Sequence, residues 1–172
     1  MGQRLVVNVY EKDEKVANAY YHWSGYTISS LEILKVISKA YNKNKNISAV
    51  DLLKATGAKL SDDDECNRND GIIEITKDGM EDNSRWSEGD IHVYLDKGTY
   101  DFDVIMYSDI DYIREYYKDF DISGIERLKY NLQGMKLGNY IAIDDLICEI
   151  SRFEDNKYGF FRLDDGIYQS IY

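Results

Sequence analysis

The stretch TYDFDVIMY, residues 99 to 107, fixes more about the fold than any other. Tyr100, Phe102 and Val104 alternate with Asp101 and Asp103. Side chains along a strand point to opposite faces with a period of two, so this stretch predicts a strand with one apolar face and one acidic face. A strand of that kind needs a core on one side only.

Other segments extend the pattern. QRLVVNVY and VANAYYHW, residues 3–10 and 16–23, are β-rich and separated by the polar EKDEK, which reads as a hairpin. GIIEIT and GDIHVYLD read with TYDFDVIMY as three antiparallel strands, divided by KDGMED and DKG as turns. Between these runs, helical spacing appears. Ser29 and Glu32 form a capping box ahead of Leu31, Leu34, Ile37, Ala40 and Tyr41, predicting a helix over 29–43. Ser48 and Asp51 repeat the signal for a short helix that Gly57 stops.

Further along, Ser108 starts an amphipathic helix carrying Ile110, Ile113, Tyr117 and Phe120. SGIERLKYNL reads as a shorter helix, and Ile143, Leu146, Ile147 and Ile150 make a helical stripe, with NYIAI before it open to a strand. The tail reads as a closing hairpin about DDG. With no regular βαβ rhythm, repeat or low-complexity linker, the expectation is an α+β fold: a single domain over 1–172, mostly antiparallel, with three to five helices.

Charge is partitioned along the chain. Residues 1–60 hold nine Lys and Arg against five Asp and Glu, net +4, whereas residues 61–172 hold twelve against twenty-seven, net −15. A net-acidic body repels a phosphate backbone, which disfavours direct nucleic-acid binding and favours a basic protein partner; the alternative is charge that serves solubility alone. No run approaches the roughly 20 apolar residues that span a bilayer, and the N-terminal apolar stretch is too short for a signal peptide. Val6 breaks the acylation pattern after Gly2. Cys66 and Cys148 are isolated thiols, as expected of a reducing cytoplasm.

The acidic concentration peaks in SDDDECNRNDG, residues 61–71. Set on the EF-hand pattern with Gly71 as its glycine, Asp70 falls at position 5, but Arg68 at 3 and Cys66 at 1 break it. A solvated loop is the reading, beside an oxygen site of another kind built from Asp62, Asp64 and Asp70. Cys66 as a nucleophile would need His22 or His92 as a base, and four preceding acids should raise its pKa by like-charge repulsion. Cys148 reads as core. No CxxC pair accompanies the two histidines, so zinc is not expected, and no cofactor is implied.

ANAYYHWSGYT, residues 17–27, crowds aromatics ahead of a helix start. Alternation sends Tyr21 and Trp23 to one face and Tyr20 and His22 to the other, leaving Tyr20 and Trp23 as candidate aromatic anchors at a partner surface.

MGQRLVVNVYEKDEKVANAYYHWSGYT and SDDDECNRNDGIIEIT, within a small Lys/Asn/Ile/Tyr-rich chain with an acidic half, resemble in style the accessory proteins of phages, including anti-CRISPR and other anti-defence inhibitors. The resemblance carries no diagnostic motif. It implies a non-catalytic acidic protein, acting as a nucleic-acid mimic in the basic groove of a host defence nuclease. The expected contact surface comprises Asp62, Asp63, Asp64, Glu65 and Asp70, with Asp101, Asp103, Asp109 and Asp111. The alternative is a small metal-dependent or hydrolytic enzyme with a site near Asp70, Glu74 and His92, and a third is a self-assembling phage protein.

Overall fold

A computed structural model of the chain describes residues 3–25, 27–105, 129–156, 159–162 and 168–171. A seven-stranded mixed sheet dominates them, with four helices, giving an α+β fold.

Strands β1 (Leu5–Glu11) and β2 (Glu14–Tyr21) form the predicted hairpin. Its two-residue turn places Lys12 and Asp13 at φ 51° and 64°, the left-handed geometry that matches the twist of the flanking strands. A register shift at Val9/Tyr10 marks a bulge. Helix α1 (Thr27–Lys43) and the short α2 (Ala49–Lys54) follow. Ser48 caps α2 as expected, its hydroxyl accepting from the Asp51 amide at 3.1 Å. The start of α1 differs from the Ser29 capping box. The helix begins at Thr27, and the neighbouring Ser30 hydroxyl donates back to the Ser24 carbonyl at 2.6 Å.

Next come β3 (Lys59–Leu60), β4 (Ile72–Glu74), helix α3 (Lys77–Ser84), β5 (Gly89–Tyr94) and β6 (Thr99–Ile105). The sheet order is β3-β4-β2-β1-β5-β6-β7, where β7 is Lys129–Lys136. Four of the six ladders are antiparallel; β3 with β4 and β1 with β5 are parallel.

The expected meander of three consecutive strands is therefore corrected. β4 joins β2, and β5 crosses to the far side of β1. The crossover is possible because KDGMED is not a turn but the body of α3, capped by the Thr76 hydroxyl accepting from the Gly79 amide at 3.1 Å. A polar segment with an internal glycine carries little helical signal, and the cap supplies what propensity does not. Residues 129–132, expected in a helix, begin β7, and Tyr140–Ile143 start helix α4 (Tyr140–Asn156) rather than a strand. β8 (Gly159–Arg162) and β9 (Tyr168–Ile171) pair as the closing hairpin. The expected helix from Ser108 lies outside the described residues.

The core forms on one face of the sheet. Leu5, Val7, Val9, Ile91, Val93, Phe102 and Val104 are fully buried there, against Leu31, Leu34 and Ile37 of α1, Leu52 and Leu53 of α2, and Ile143 of α4. Lys35 ties α1 to α4 through Asp144 at 2.5 Å. On the opposite face α3 lies over β2 and β4 and is fixed by asparagines. Asn18, fully buried, donates to the Met80 carbonyl at 2.9 Å and accepts from Asn83 at 2.9 Å; Asn83 also donates to the Ile72 carbonyl at 3.2 Å. Buried amides bonded on both sides offset the desolvation that would otherwise penalise them.

Candidate functional site

The 61–71 loop joins β3 to β4 along the sheet edge. Its shape comes from its own polar side chains. The Asp63 carboxylate accepts from the Glu65 amide at 2.8 Å, and the Asn67 side-chain oxygen accepts from the amides of Asn69 and Asp70, each at 3.0 Å. Asx turns of this kind fix the backbone of the loop, with the Asp63 carboxylate itself one of the acceptors. Asp62, Asp63, Asp64, Glu65 and Asp70 are all exposed, and only Glu65 has a cation partner among the described residues, Lys59 at 2.8 Å. Gly71 closes the loop at φ 115°, where a Cβ would press within 2.9 Å of both the Tyr21 ring and Ala58.

Cys66 is half-buried within this loop, its Sγ 3.8 Å from the Lys59 carbonyl. Burial pushes its thiol pKa up, with Asp63 and Glu74 adding to the rise and Lys59 opposing it. The expected direction holds, although burial rather than like charge leads. Each imidazole Nδ1 is bonded to a tyrosine hydroxyl. His22 Nδ1 lies 2.7 Å from the Tyr20 hydroxyl, and His92 Nδ1 lies 3.0 Å from that of Tyr10. Cys148, expected in the core, is exposed on α4, because the buried stripe runs through Ile143 and Ile147 and a residue one position on faces away.

The remaining acids lie elsewhere. Asp101 and Asp103 sit on β6 across the sheet from the core, as alternation predicts, but four strand spacings from β4, about 19 Å. Both are half-buried. Asp101 is engaged within the fold: it accepts from the Tyr94 hydroxyl at 3.3 Å and from the Gly134 amide at 2.7 Å. The structure thus does not bring these two together with the loop acids. Asp109 and Asp111 lie outside the described residues.

The alternative constellation is also separated. Glu74 ends β4 and His92 is on β5, three strand spacings apart or about 14 Å, while Asp70 accepts from its neighbour Asn67 at 2.5 Å. Among the described residues no cluster of three or more His, Cys, Asp or Glu could hold a metal ion. No described helix is long and apolar enough to cross a membrane.

What the fold does bring together is a cleft of about 320 Å³ between the acidic loop, the end of β2 and α3. Arg4, Arg68, Tyr20, His22 and Trp86 line it, together with Ile72, Glu74, Asp82 and Asn83. Arg4 is positioned by its backbone. Its amide donates to the Glu88 carboxylate at 3.0 Å, and its carbonyl accepts from the amides of Glu88 and Gly89. Its guanidinium stands 5.4 Å over the Trp86 ring. Arg68 is delivered from the opposite side by the loop, whose carbonyl at that residue accepts from the His22 amide at 3.1 Å. Burial holds the Tyr20 hydroxyl above its ordinary pKa even though both guanidiniums act to lower it.

The two aromatic candidates diverge here. Tyr20 is 8% exposed and belongs to the cleft, whereas Trp23 is 52% exposed, edge-on to the His22 ring at 4.7 Å. Trp23 does not share the Tyr21 face because β2 ends at Tyr21, and alternation ends with it. Arg4, Trp86 and Asn83 carried no sequence signal as a group, since they are brought together only by strand order and by α3.

No protein-family model matches the chain, and comparisons with curated proteins and with solved structures likewise return no match.

Proposed function

We propose that this is a non-catalytic binding protein that docks a basic protein surface through the acidic 61–70 loop, in the manner of an inhibitor occupying the nucleic-acid groove of a host defence nuclease. One observation carries the reading. Four of the five loop acids, Asp62, Asp63, Asp64 and Asp70, are exposed and without a cation partner among the described residues, on a loop pre-shaped by its own hydrogen bonds. Carboxylates held ready lose little entropy on docking and can stand in for phosphates opposite Lys and Arg. Trp23, exposed at the end of β2, adds an aromatic contact beside them. Two free cysteines accord with action in a reducing cytoplasm.

The test is retention of host proteins on the immobilised chain across a salt series. A basic, nucleic-acid-handling protein should be held at low salt and released as screening rises. Replacing Asp62, Asp63 and Asp64 by Asn and Glu65 by Gln should slow association and flatten its salt dependence, with stability changed by no more than about 0.5 kcal/mol. Equal retention by the variant would remove the loop from the interface. Absence of any salt-sensitive partner would sink the reading.

A further inference from the structure

We propose that the cleft beneath the acidic loop binds a single small nucleotide, its phosphate held by Arg4 and Arg68 and its base laid on Trp86. The first ground is charge that the fold leaves unspent. The chain carries 32 acids against 21 Lys and Arg, yet neither Arg4 nor Arg68 has an ion-pair partner among the described residues, although both reach the same cleft from separate segments. Convergent guanidiniums are matched to phosphate, which accepts their paired N–H groups in a planar fork.

Two carboxylates, Glu74 and Asp82, also border the cleft, and neither pairs with Arg4 or Arg68 among the described residues. Asp82 pairs with Arg85 at 3.7 Å, and the Glu74 carboxylate lies against the first turn of α3, where a Cβ on Gly79 would collide with it.

The second ground is the aromatic wall. Trp86 is 55% exposed at the cleft, with the Arg4 guanidinium 5.4 Å over its ring. A planar base packed against the exposed part of the indole would replace water on an apolar surface beside a cation. Tyr20 and His22, hydrogen-bonded at 2.7 Å, add a hydroxyl and an imidazole along the same wall. The volume, about 320 Å³, sits at the small end of ligand sites and suits one nucleotide. The net charge of −11 argues for a free nucleotide over a strand, because each further phosphate outside the cleft meets a repelling surface.

Calorimetric titration of the intact chain with each of the four nucleoside monophosphates tests this, alongside adenosine, inorganic phosphate and a short single-stranded oligonucleotide. Saturable binding of at least one monophosphate, with Kd at or below about 1 mM, is expected. Adenosine and phosphate should each bind at least about tenfold more weakly, since each makes half the contacts. Arg4→Gln and Arg68→Gln should each raise Kd about tenfold or more, and Trp86 emission in a Trp23→Phe background should be quenched. Arg68 lies on an exposed loop, so its substitution leaves folding intact, and an unchanged thermal melt of each variant verifies that. No saturable binding by any monophosphate would overturn the proposal, as would affinity unchanged in both arginine variants. Tighter binding of the oligonucleotide would overturn the free-nucleotide assignment in favour of a strand end. The loop-acid variant leaves every cleft residue in place, so the docking reading and this one fail independently.

Discussion

The two faces of the sheet are built from the same strands and held by different physics. On the core face, Leu5, Val7, Val9, Ile91, Val93 and Phe102 are sealed under α1, α2 and α4 by apolar area, which has no direction. On the other face α3 is held by directional bonds among Asn8, Asn18, Asn83 and Ser84, and Tyr10, His92, Tyr94 and Asp101 on β1, β5 and β6 are joined by hydroxyl, imidazole and carboxylate contacts. Burial also raises the pKa of the Tyr10 and Tyr94 hydroxyls, with Tyr94 and Asp90 adding to the first and Asp101 to the second. The core face supplies stability in bulk. The polar face spends some of it on groups that can recognise a ligand, and the candidate cleft opens at its edge.

Deleting area from the core face should produce the largest effect. Leu34→Ala removes a fully buried side chain under the sheet and should destabilise the fold by about 3 kcal/mol, read by urea denaturation. Asn18→Ala strikes the polar face. It removes one of the two partners of the Met80 carbonyl and of the Asn83 amide, leaving Ser84 and Ile72, and should lower stability by about 2 kcal/mol, while disturbing the cleft through α3. A cost for Asn18→Ala below about 0.5 kcal/mol would break the comparison, by showing that Met80 packing alone seats α3.

A smaller effect of opposite sign is expected within the apolar face. Ser38 is fully buried on α1, and its hydroxyl has no hydrogen-bond partner among the described residues. An unmet buried hydroxyl is a cost, and alanine favours the helix, so Ser38→Ala should stabilise by about 1 kcal/mol. A melting temperature that falls would show that the hydroxyl has a role there. The smallest effect is kinetic and separates the two thiols. Cys148, exposed, should react first with a thiol reagent at neutral pH, in a phase that Cys148→Ser removes. Cys66 has a raised pKa, so its thiolate fraction at neutral pH is below that of an ordinary cysteine, and its labelling should accelerate only as pH climbs past the usual thiol range. Equal labelling rates would mean that the loop opens far more readily than its hydrogen bonds imply.

Much of the local structure was legible in residue order. The alternation of Tyr100, Phe102 and Val104 with Asp101 and Asp103 told which face was core, and EKDEK and Ser48 marked a hairpin and a cap, because each signal lies within a few residues. The segment KDGMED misled because turns and short capped helices draw on the same polar residues, and only the packing of Met80 and Asn83 on Asn18 decides between them. The acidity of the 61–70 loop was equally plain, while its inward side, Arg68, was not.

Sequence alone thus determined the α+β class, the core face of β6 and the exposure of the acidic loop, since these follow from spacing and charge along the chain. Tertiary structure alone decided that β5 lies beside β1 and that β4 lies beside β2, and therefore that Glu74 and His92 are kept apart while Arg4, Arg68 and Trp86 converge. Strand order is set by which buried faces pack best together, a sum over the whole core that no local pattern contains.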